Sequence, residues 1–376
     1  MEFKQYDELV VELRRELHKI PEIATEEFKT SEFISDKLTE WGYSIKKMYG
    51  TGVVAVIGDE TKPCIAFRAD IDGLPIKEEN DVAYKSVNEG KMHACGHDGH
   101  IAVVLTLAKI LRDNEKKIKN CIKLIFQPAE EGSGGAMPMI EEGVLENPKV
   151  EKIFGFHFWP SVEAGKIEYS SGASFAEAER YEIHIKGNGG HGAMPDGIKN
   201  CLQCGAEIIN GIKNIHDSFD KTIVSACSFN STGFHNIFAD SAVIKGTIRT
   251  VIDGKIKEVE TEIEKVCQNA EKNSGCFVNP VFVYEYPCLL NDSRTLGEIV
   301  KVSKEVLGEQ SVYEAEGTYA AEDFSFFTKR CAAAHIKIGS YNPEKPETGY
   351  PLHNPKFNID EDALKTAIRI FTKLAL

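Results

Sequence analysis

The sequence predicts a two-domain α/β fold, in which a mixed-sheet α/β domain is interrupted by a smaller α+β unit. The chain has 376 residues, more than a single hydrophobic core usually supports. Short β-rich runs alternate with helical patterns in its first half, as in an α/β layer structure. From about Glu179 the pattern changes to strands of alternating polarity, and it changes again after Pro287. We therefore predict one domain over 1–178 and 288–376, with an inserted unit at 179–287.

The first domain is predicted to begin with two helices separated by Pro21, from about Tyr6 to Trp41. Their apolar residues recur at helical spacing: Leu9, Leu13, Leu17, Phe33, Ile34 and Leu38. Strands follow at 53–57, 64–67, 122–126 and 153–158, with an apolar helix at 101–111 and another helix after 131. Polar residues that could bind ligands follow several of these strands, where open α/β sheets place their sites.

The inserted unit is predicted to contain four strands and two helices. The strands are expected at 180–186, 223–229, 242–249 and 277–284, and the helices at 202–215 and 255–272. A helix at 296–307, a strand at 333–338 and a final helix from about Glu361 return to the first domain.

Composition indicates a soluble folded protein, with 42% hydrophobic and 27% charged residues. The formal charge of −14 argues against binding to nucleic acid or to acidic membranes, which need a basic surface. The sequence shows no signal-peptide pattern and no run long enough to span a bilayer, so we predict a cytoplasmic protein. Its ten cysteines should then be reduced thiols. Four of them are expected to be small core residues: Cys64, Cys121, Cys227 and Cys331.

The most informative run is His93-Ala94-Cys95-Gly96-His97-Asp98-Gly99-His100. It combines imidazole, thiol and carboxylate, the side chains that bind Zn²⁺-like ions. Its glycines favour a turning loop over a regular helix. The alternative is a histidine-rich helix N-terminus with a buried free cysteine. The spacing favours a metal site, for Zn, Co, Ni or Mn, but does not decide which histidines bind.

A second run, Gln127-Pro128-Ala129-Glu130-Glu131-Gly132, places adjacent carboxylates after an apolar strand. Neighbouring residues of an extended loop point in different directions. One glutamate can therefore bind metal while the other faces the substrate and accepts a proton from water, as metal-assisted hydrolysis requires.

Other candidate residues are weaker when each is taken alone. His157 interrupts an aromatic strand and His353 lies between two prolines, and single histidines in such positions are usually structural. Cys201-Leu202-Gln203-Cys204 has the spacing of redox and zinc motifs, but no second such pair accompanies it. We interpret it as packing, with a thiol oxidoreductase as the rival hypothesis.

Taken together, these segments resemble the M20 metallopeptidase and aminoacylase group. The most similar branch contains the N-acyl-amino-acid, hippurate and indole-acetyl-amino-acid hydrolases, and the resemblance covers nearly the whole chain. It rests on segments in a common order: Leu13–His18 with Pro21-Glu22, Arg68–Pro75, Met92–Asp98, Gln127–Gly132, Gly190–Pro195, Gly246–Thr250, Glu322–Phe324, and Pro351–His353 with Pro355–Phe357.

The resemblance implies a site for two divalent metal ions per subunit, with Zn, Mn, Co or Ni as candidates. Glu130 matches the family's general base, and Asp72 matches an acidic residue that orients a metal ligand. The residues that match the metal ligands are Cys95, His97, Glu131, His157 and His353.

The resemblance also implies that the inserted unit is a ferredoxin-like lid and dimerisation domain, in a homodimer or homotetramer. His191 matches a histidine that reaches the reacting carbonyl, often that of the partner subunit. Asn236 and Arg249 match positions that hold the free carboxylate of the substrate, a task that suits the guanidinium fork.

This sequence departs from the family pattern in the inserted unit. Asp196 stands where a histidine is usual, Asn200-Cys201 replaces an Asp-Pro pair, and Phe234-His235 replaces smaller residues. These departures bear on substrate preference and on the dimer contact.

The resulting hypothesis is hydrolysis of the amide bond of a small-molecule N-acyl amino acid, by a water that two metals activate and Glu130 deprotonates. The alternatives are a non-catalytic binding protein that keeps the fold, and a dipeptidase-like peptidase. The sequence does not specify the acyl group or the amino acid.

Overall fold

The structure, a computed structural model, describes residues 2–376. Its α-helices in this range are α1 (Lys4–His18), α2 (Phe28–Glu40), α3 (His97–Asp113), α4 (Ala136–Glu141), α5 (Cys201–Ser218), α6 (Ile256–Ser274), α7 (Ser293–Leu307), α8 (Ser325–Thr328) and α9 (Asp362–Ala375). Short 3-10 helices cover Glu115–Lys117, Glu309–Ser311 and Pro346–Gly349. No helix among residues 2–376 combines the length and the apolar character that crossing a membrane requires.

The strands in the same range carry the labels β1 to β16 in chain order. They are β1 (Ile45–Met48), β2 (Gly52–Gly58), β3 (Cys64–Asp70), β4 (Cys121–Gln127), β5 (Val150–Glu163), β6 (Ile167–Tyr169), β7 (Ala173–Phe175), β8 (Glu177–Lys186), β9 (Gly190–His191), β10 (Thr222–Ser231), β11 (Ile237–Phe238), β12 (Ser241–Thr250), β13 (Phe277–Tyr286), β14 (Leu289–Leu290), β15 (Val312–Glu314) and β16 (Ala332–Tyr341).

Residue contacts divide the chain into two compact units. The first contains the chain up to Gly172, Leu290–Glu316 and Phe326–Leu376, and the second contains Ala173–Leu289 and Gly317–Ser325. The predicted mixed α/β fold is confirmed. The predicted domain boundaries after residues 178 and 287 stay a prediction.

The first unit is built on an eight-stranded mixed sheet with the order β1-β2-β4-β3-β5-β16-β6-β15. The four central strands, β4, β3, β5 and β16, run parallel to one another. Every residue of β3 and β4 is buried, as expected for parallel strands covered on both faces. Parallel strands end at one edge of the sheet, so the segments after β3 and β4 lie close together.

Helix α3 lies in the core of the first unit and packs against α1 and α9. It begins at His97, so the expectation of a turning loop through Gly99 was wrong. Only Gly96, with φ of 89°, is in a left-handed turn. Gly99 is helical, and a Cβ atom there would lie 2.8 Å from the Phe158 ring. This glycine therefore permits close packing between α3 and β5.

The second unit has the element order β8-α5-β10-β12-α6-β13. Its antiparallel sheet has the order β10-β12-β8-β13. This is the ferredoxin-like arrangement, with α5 and α6 packed together over a separate hydrophobic core. Cys201 and Cys204 are fully buried in that core, as expected for packing residues.

All ten cysteines are free thiols, and most are buried. Cys227 is exposed, so the expectation that it is a core residue was wrong. The register of β10 against β12 shifts between Ala226 and Ser228. This irregularity interrupts the alternation of buried and exposed residues along β10, which the apolar pattern of the sequence does not reveal.

Candidate metal centre

The candidate metal centre of the first unit is assembled from several separate segments. Asp72 follows the end of β3, Glu130 and Glu131 follow the end of β4, and His157 lies within β5. Cys95 and His97 stand at the N-terminus of α3, and His353 lies in the loop before α9. The amide N–H of His353 donates to the carbonyl of Ala94 at 2.8 Å, which holds the last loop beside Cys95.

The structure brings the predicted metal ligands together. Cys95, His97 and His157 form one group whose ligand atoms lie within 4.8 Å of one another. Cys95, Glu131 and His353 form a second group by the same measure. Cys95 belongs to both groups, so its sulfur lies between two candidate ion positions.

The two buried histidines present the same ring nitrogen to this centre. Nδ1 of His97 donates to the backbone carbonyl of Asp72 at 3.0 Å, and Nδ1 of His157 donates to that of Phe158 at 2.7 Å. The lone pair of each Nε2 atom then remains available to a metal, an arrangement typical of metal-binding histidines. Nε2 of His157 lies 3.3 Å from the Cys95 sulfur.

One buried atom of the centre, Nε2 of His97, has no hydrogen bond within the described part of the chain. It lies 3.9 Å from Oε1 of Glu131, which in turn pairs with Nε2 of His353 at 3.1 Å. Buried polar atoms are rarely left without a partner. The position of Nε2 of His97, together with a donor set of thiol, imidazole and carboxylate, fits a divalent cation.

Electrostatics also favour a cation here. Burial raises the pKa of the Cys95 thiol well above its usual range, and the charges of Glu131 and Glu130 raise it further. Burial alone would lower the pKa of His97, but Asp70, Asp72 and Glu131 outweigh it and raise the pKa to about 10. A metal ion would compete with both protons, because thiolate and neutral imidazole are the forms that bind it.

Asp72 connects two of the candidate ligands. Its Oδ1 atom lies 3.3 Å from Nδ1 of His97, and its Oδ2 atom accepts the amide N–H of Glu131 at 2.8 Å. The side chain is buried. It can therefore orient the His97 ring and the backbone of Glu131 together.

Asp70 and His100 form a second buried support, to which the sequence analysis gave no role. The amide N–H of Phe158 donates to Nε2 of His100 at 3.1 Å, so Nδ1 of His100 donates to Asp70 at 2.6 Å. Arg68 donates to the other carboxylate oxygen of Asp70 at 2.7 Å. Both oxygens are thus engaged, which favours support of the site over metal binding. The sequence feature that could have pointed to Asp70 is the Asp-x-Asp spacing, which places Asp70 and Asp72 on one side of an extended segment.

A buried ion network anchors the start of α3 on α1. Asp98 accepts hydrogen bonds from Arg14 and His18, each at 2.7 Å, and His18 lies 3.2 Å from Glu78. Burial would raise the pKa of Asp98, but Arg14 and His18 hold it well below its usual range. Asp98 is the residue after His97, so this network fixes the helix start that presents a candidate ligand.

Glu130 lies beside the candidate ligands. One of its carboxylate oxygens is within 4.8 Å of ligand atoms of both His97 and Glu131. It is only partly buried, whereas His97 is fully buried. This position permits proton exchange with a water molecule at the centre.

His353 occupies a strained backbone conformation, with φ of 64°. Residues with a Cβ atom seldom adopt this region, and where they do the strain often serves a function. Its side chain is about half exposed, in contrast to those of the other candidate ligands. It therefore forms the open side of the centre within the first unit.

The predicted substrate-binding residues all lie in the second unit. The structure brings His191 and Asn236 together, because β9 pairs with β11 and Gly192 donates to the carbonyl of Asn236 at 2.8 Å. Arg249 lies on a different sheet, in β12, where it donates to Thr247 at 3.1 Å. Nδ1 of His191 accepts the amide N–H of Ala193 at 3.1 Å. The proton of the neutral ring is therefore on Nε2, which can donate to an oxyanion.

One departure from the family pattern has a clear structural role. Asn200 is the N-cap of α5, and its side chain accepts the amide N–H of Leu202 at 2.9 Å. Asparagine is among the best N-cap residues, so the helix begins normally without an Asp-Pro pair. Asp196 and Phe234 are exposed.

Comparison with known proteins agrees with the resemblance noted in the sequence. Residues 66–376 match the model of peptidase family M20/M25/M40. The chain is 37% identical to the putative amidohydrolase YhaA of Bacillus subtilis, over 99% of this chain and 96% of that protein. It is 33% identical to the hippurate hydrolase of Campylobacter jejuni, over 97% of this chain and 95% of that protein.

A solved structure is similar throughout its length. The YXEP protein of Bacillus subtilis, described as a dinuclear metal binding peptidase from the M20 family, superposes with a TM-score of 0.87. It is 31% identical, and the match covers 100% of this chain and 98% of that one. Fold, family model and relatives agree, and this chain belongs to peptidase family M20/M25/M40, a family of hydrolases.

Proposed function

We propose that this protein hydrolyses the amide bond of N-acyl amino acids. The observation that carries the proposal is the convergence of Cys95, His97, His157, Glu131 and His353 beside the carboxylate of Glu130. The hippurate hydrolase of Campylobacter jejuni, a relative over nearly the whole chain, supports this substrate class.

The same five side chains would hold two divalent metal ions, and the buried Nε2 of His97, which has no hydrogen bond among the described residues, supports this assignment. Bound metals would supply Lewis acidity, which lowers the pKa of water and polarises the amide carbonyl. Imidazole and thiolate donors suit Zn, Co, Ni or Mn.

Glu130 acts as the general base and then as the general acid. Its carboxylate takes a proton from the attacking water as the bond between carbon and the water oxygen forms. It returns that proton to the nitrogen as the C–N bond breaks, so the products are a carboxylic acid and an amine; the acid then gives up the second proton of the water, and at neutral pH the products are a carboxylate and an ammonium. Asp72 holds His97 and the backbone of Glu131 in place during both steps.

We assign His191, Asn236 and Arg249 to substrate binding. The Nε2 proton of His191, fixed by the hydrogen bond at Nδ1, would stabilise the oxyanion. Arg249 would bind the free carboxylate of the amino acid as a fork of two donors, with Asn236 beside that carboxylate.

A metal add-back experiment tests the proposal. The protein is stripped by a chelator and reloaded with Zn, Mn, Co or Ni in turn. Each form is then assayed on N-acetyl amino acids, N-benzoyl amino acids, N-acetyl-diaminopimelate and dipeptides. We expect activity on acyl amino acids to disappear on stripping and to return with metal. Turnover of dipeptides alone would indicate a peptidase, and activity lost in Cys201→Ser but insensitive to chelator would indicate a thiol oxidoreductase.

We also propose that the protein is cytoplasmic and forms a homodimer or a homotetramer. Light scattering of the purified protein would test the assembly, and cell fractionation would test the location.

A further inference from the structure

Glu27 is a buried carboxylate outside every motif noted in the sequence. It is the residue before α2 and is fully buried. Its Oε1 atom accepts the amide N–H groups of Thr25 at 3.0 Å and of Ala129 at 2.9 Å. Its Oε2 atom accepts the hydroxyl of Thr51 at 2.6 Å. The side chain thus joins the segment before α2 to the loop after β4.

The two residues whose amide N–H groups donate to Oε1 of Glu27 both have unusual backbone conformations. Thr25 has φ of 69° and Ala129 has φ of 59°, in the left-handed region that non-glycine residues seldom adopt. Such conformations persist only where surrounding contacts hold them. A single carboxylate oxygen of Glu27 supplies one of those contacts to each residue.

The strained residue Ala129 directly precedes Glu130. On the other side of Glu130, the amide N–H of Glu131 donates to Asp72 at 2.8 Å. Two buried carboxylates, Glu27 and Asp72, therefore hold the backbone on both sides of Glu130. Contact between Ala24 and Gly132 brings the same two segments together, since a Cβ atom at Gly132 would lie 2.5 Å from that of Ala24.

We propose that Glu27 is a positioning residue, which fixes the left-handed turn at Ala129 and so directs Glu130 and Glu131 to their places at the metal centre. The proposal rests on the proposed function, in which Glu130 is the base and Glu131 a ligand. Glu27 itself acts through the backbone and touches neither substrate nor metal.

The test compares Glu27→Ala with Glu22→Ala. Glu22 is an equally suitable buried carboxylate, because it accepts the amide and hydroxyl of Thr30 in α2 at 3.0 and 3.1 Å. Both variants remove a buried carboxylate beside the same helix, but only Glu27 bonds to the loop at Ala129. Glu27→Gln serves as the conservative variant, because its carbonyl oxygen can still accept both amide N–H groups.

The readouts are hydrogen–deuterium exchange of the peptide spanning 129–131, the visible spectrum of the Co²⁺-loaded protein, and kcat and KM measured separately. For Glu27→Ala we expect faster exchange, a changed Co²⁺ spectrum, and a kcat lower by about 10- to 100-fold with little change in KM. Glu27→Gln should restore most of each property. Glu22→Ala should lower the melting temperature and leave all three readouts unchanged.

An unchanged exchange rate and Co²⁺ spectrum in Glu27→Ala would overturn the proposal. If that variant does not fold, Glu27→Asp replaces it, because the shorter side chain keeps the charge but cannot reach both segments. Wild-type exchange, spectrum and kcat in Glu27→Asp would then overturn the proposal. If the wild-type protein binds Co²⁺ but hydrolyses no acyl amino acid, the proposed function fails, while exchange and spectrum still decide the role of Glu27.

Discussion

The candidate metal ligands of the first unit and the candidate substrate-binding residues of the second unit are held in opposite ways. Cys95, His97 and His157 are buried, and both histidine rings are fixed by hydrogen bonds to backbone carbonyls. His191 and Asn236 are exposed on a short two-stranded ribbon. Metal coordination needs donors fixed before the ion arrives, whereas substrate binding needs groups that solvent and substrate can reach.

The residues that surround the candidate metal ligands also differ from those that surround the candidate substrate-binding residues. The candidate metal centre is supported by buried carboxylates that are themselves held by cations: Asp70 by Arg68, and Asp98 by Arg14. In the second unit, Arg249 lies 3.9 Å from Glu285 and is partly exposed, so its guanidinium can exchange one carboxylate partner for another. Substitutions in the first unit should therefore act on metal binding and turnover, and those in the second on substrate affinity.

The largest effect is expected at Glu130, which belongs to the first unit and which we assign as the base and not as a ligand. Glu130→Gln keeps the shape of the side chain and removes the base, so kcat should fall by about 10³-fold or more. Its metal content, measured by mass spectrometry, should equal that of the wild type. Glu131→Gln is the matched variant and should lose metal. Substantial activity in Glu130→Gln would exclude its role as base.

The support beneath the ligands should give the next largest effect. His100→Ala removes the acceptor of the Phe158 amide and the partner of Asp70, and so frees the backbone that holds His157. We expect metal affinity to fall about 10- to 100-fold, as for other residues that orient ligands. Competition with a chromogenic chelator measures it. His93→Ala, at the other non-ligand histidine of the run, should leave affinity unchanged; equal losses would refute a specific role for His100.

A substitution at Arg249 tests the role of the second unit in substrate binding. Arg249→Lys keeps the charge but loses the fork of donors, so we expect KM to rise about tenfold with a smaller change in kcat. Preference for substrates with a free carboxylate over their methyl esters should also fall. Arg180→Lys is the control, because Arg180 lies 3.8 Å from the same Glu285 but matches no substrate-binding position. An equal change in both variants would remove Arg249 from substrate binding.

The smallest effect concerns stability and pH in the second unit. Burial and the neighbouring Glu260 raise the pKa of Glu179 to about 8. The folded state then binds more protons than the unfolded state, in which this pKa is about 4.3, so stability falls as pH rises between these values. Glu179→Gln should therefore stabilise the protein more at pH 8.5 than near pH 4. Calorimetry at both pH values checks this, with Glu182→Gln on the same strand as the control.

The sequence predicted the fold well where the pattern is local. The helices on both sides of Pro21 and the alternating strand at 180–186 appear as α1, α2 and β8, because their apolar spacing reports directly which face is buried. The prediction for the start of α3 was wrong, because a glycine in a sequence can indicate either a turn or a close packing contact. Only the neighbouring side chain, Phe158 at Gly99, distinguishes the two.

The site was harder to predict from the residues alone. His157 and His353 were only weak candidates until the family resemblance was considered, because contacts between distant segments leave no local pattern. Asp70 and His100 stood in motifs already noted, but their hydrogen bonds depend on the backbone of β5. No sequence pattern pointed to Glu27, because its partner is the backbone amide of Ala129, whose left-handed conformation is visible only in the structure.

The position of β16 has a consequence for how this protein is made. In the chain, only residues 164–166 separate β5 from β6, yet β16 lies between these two strands in the sheet. During synthesis, the whole second unit must be translated before residues 332–341 can fill that place. Cys95, His97, Glu131 and His157 are made early, but the sheet that carries them stays incomplete until almost the end of translation. The proposed metal centre, which also needs His353, can therefore be completed only after nearly the whole chain has been synthesised.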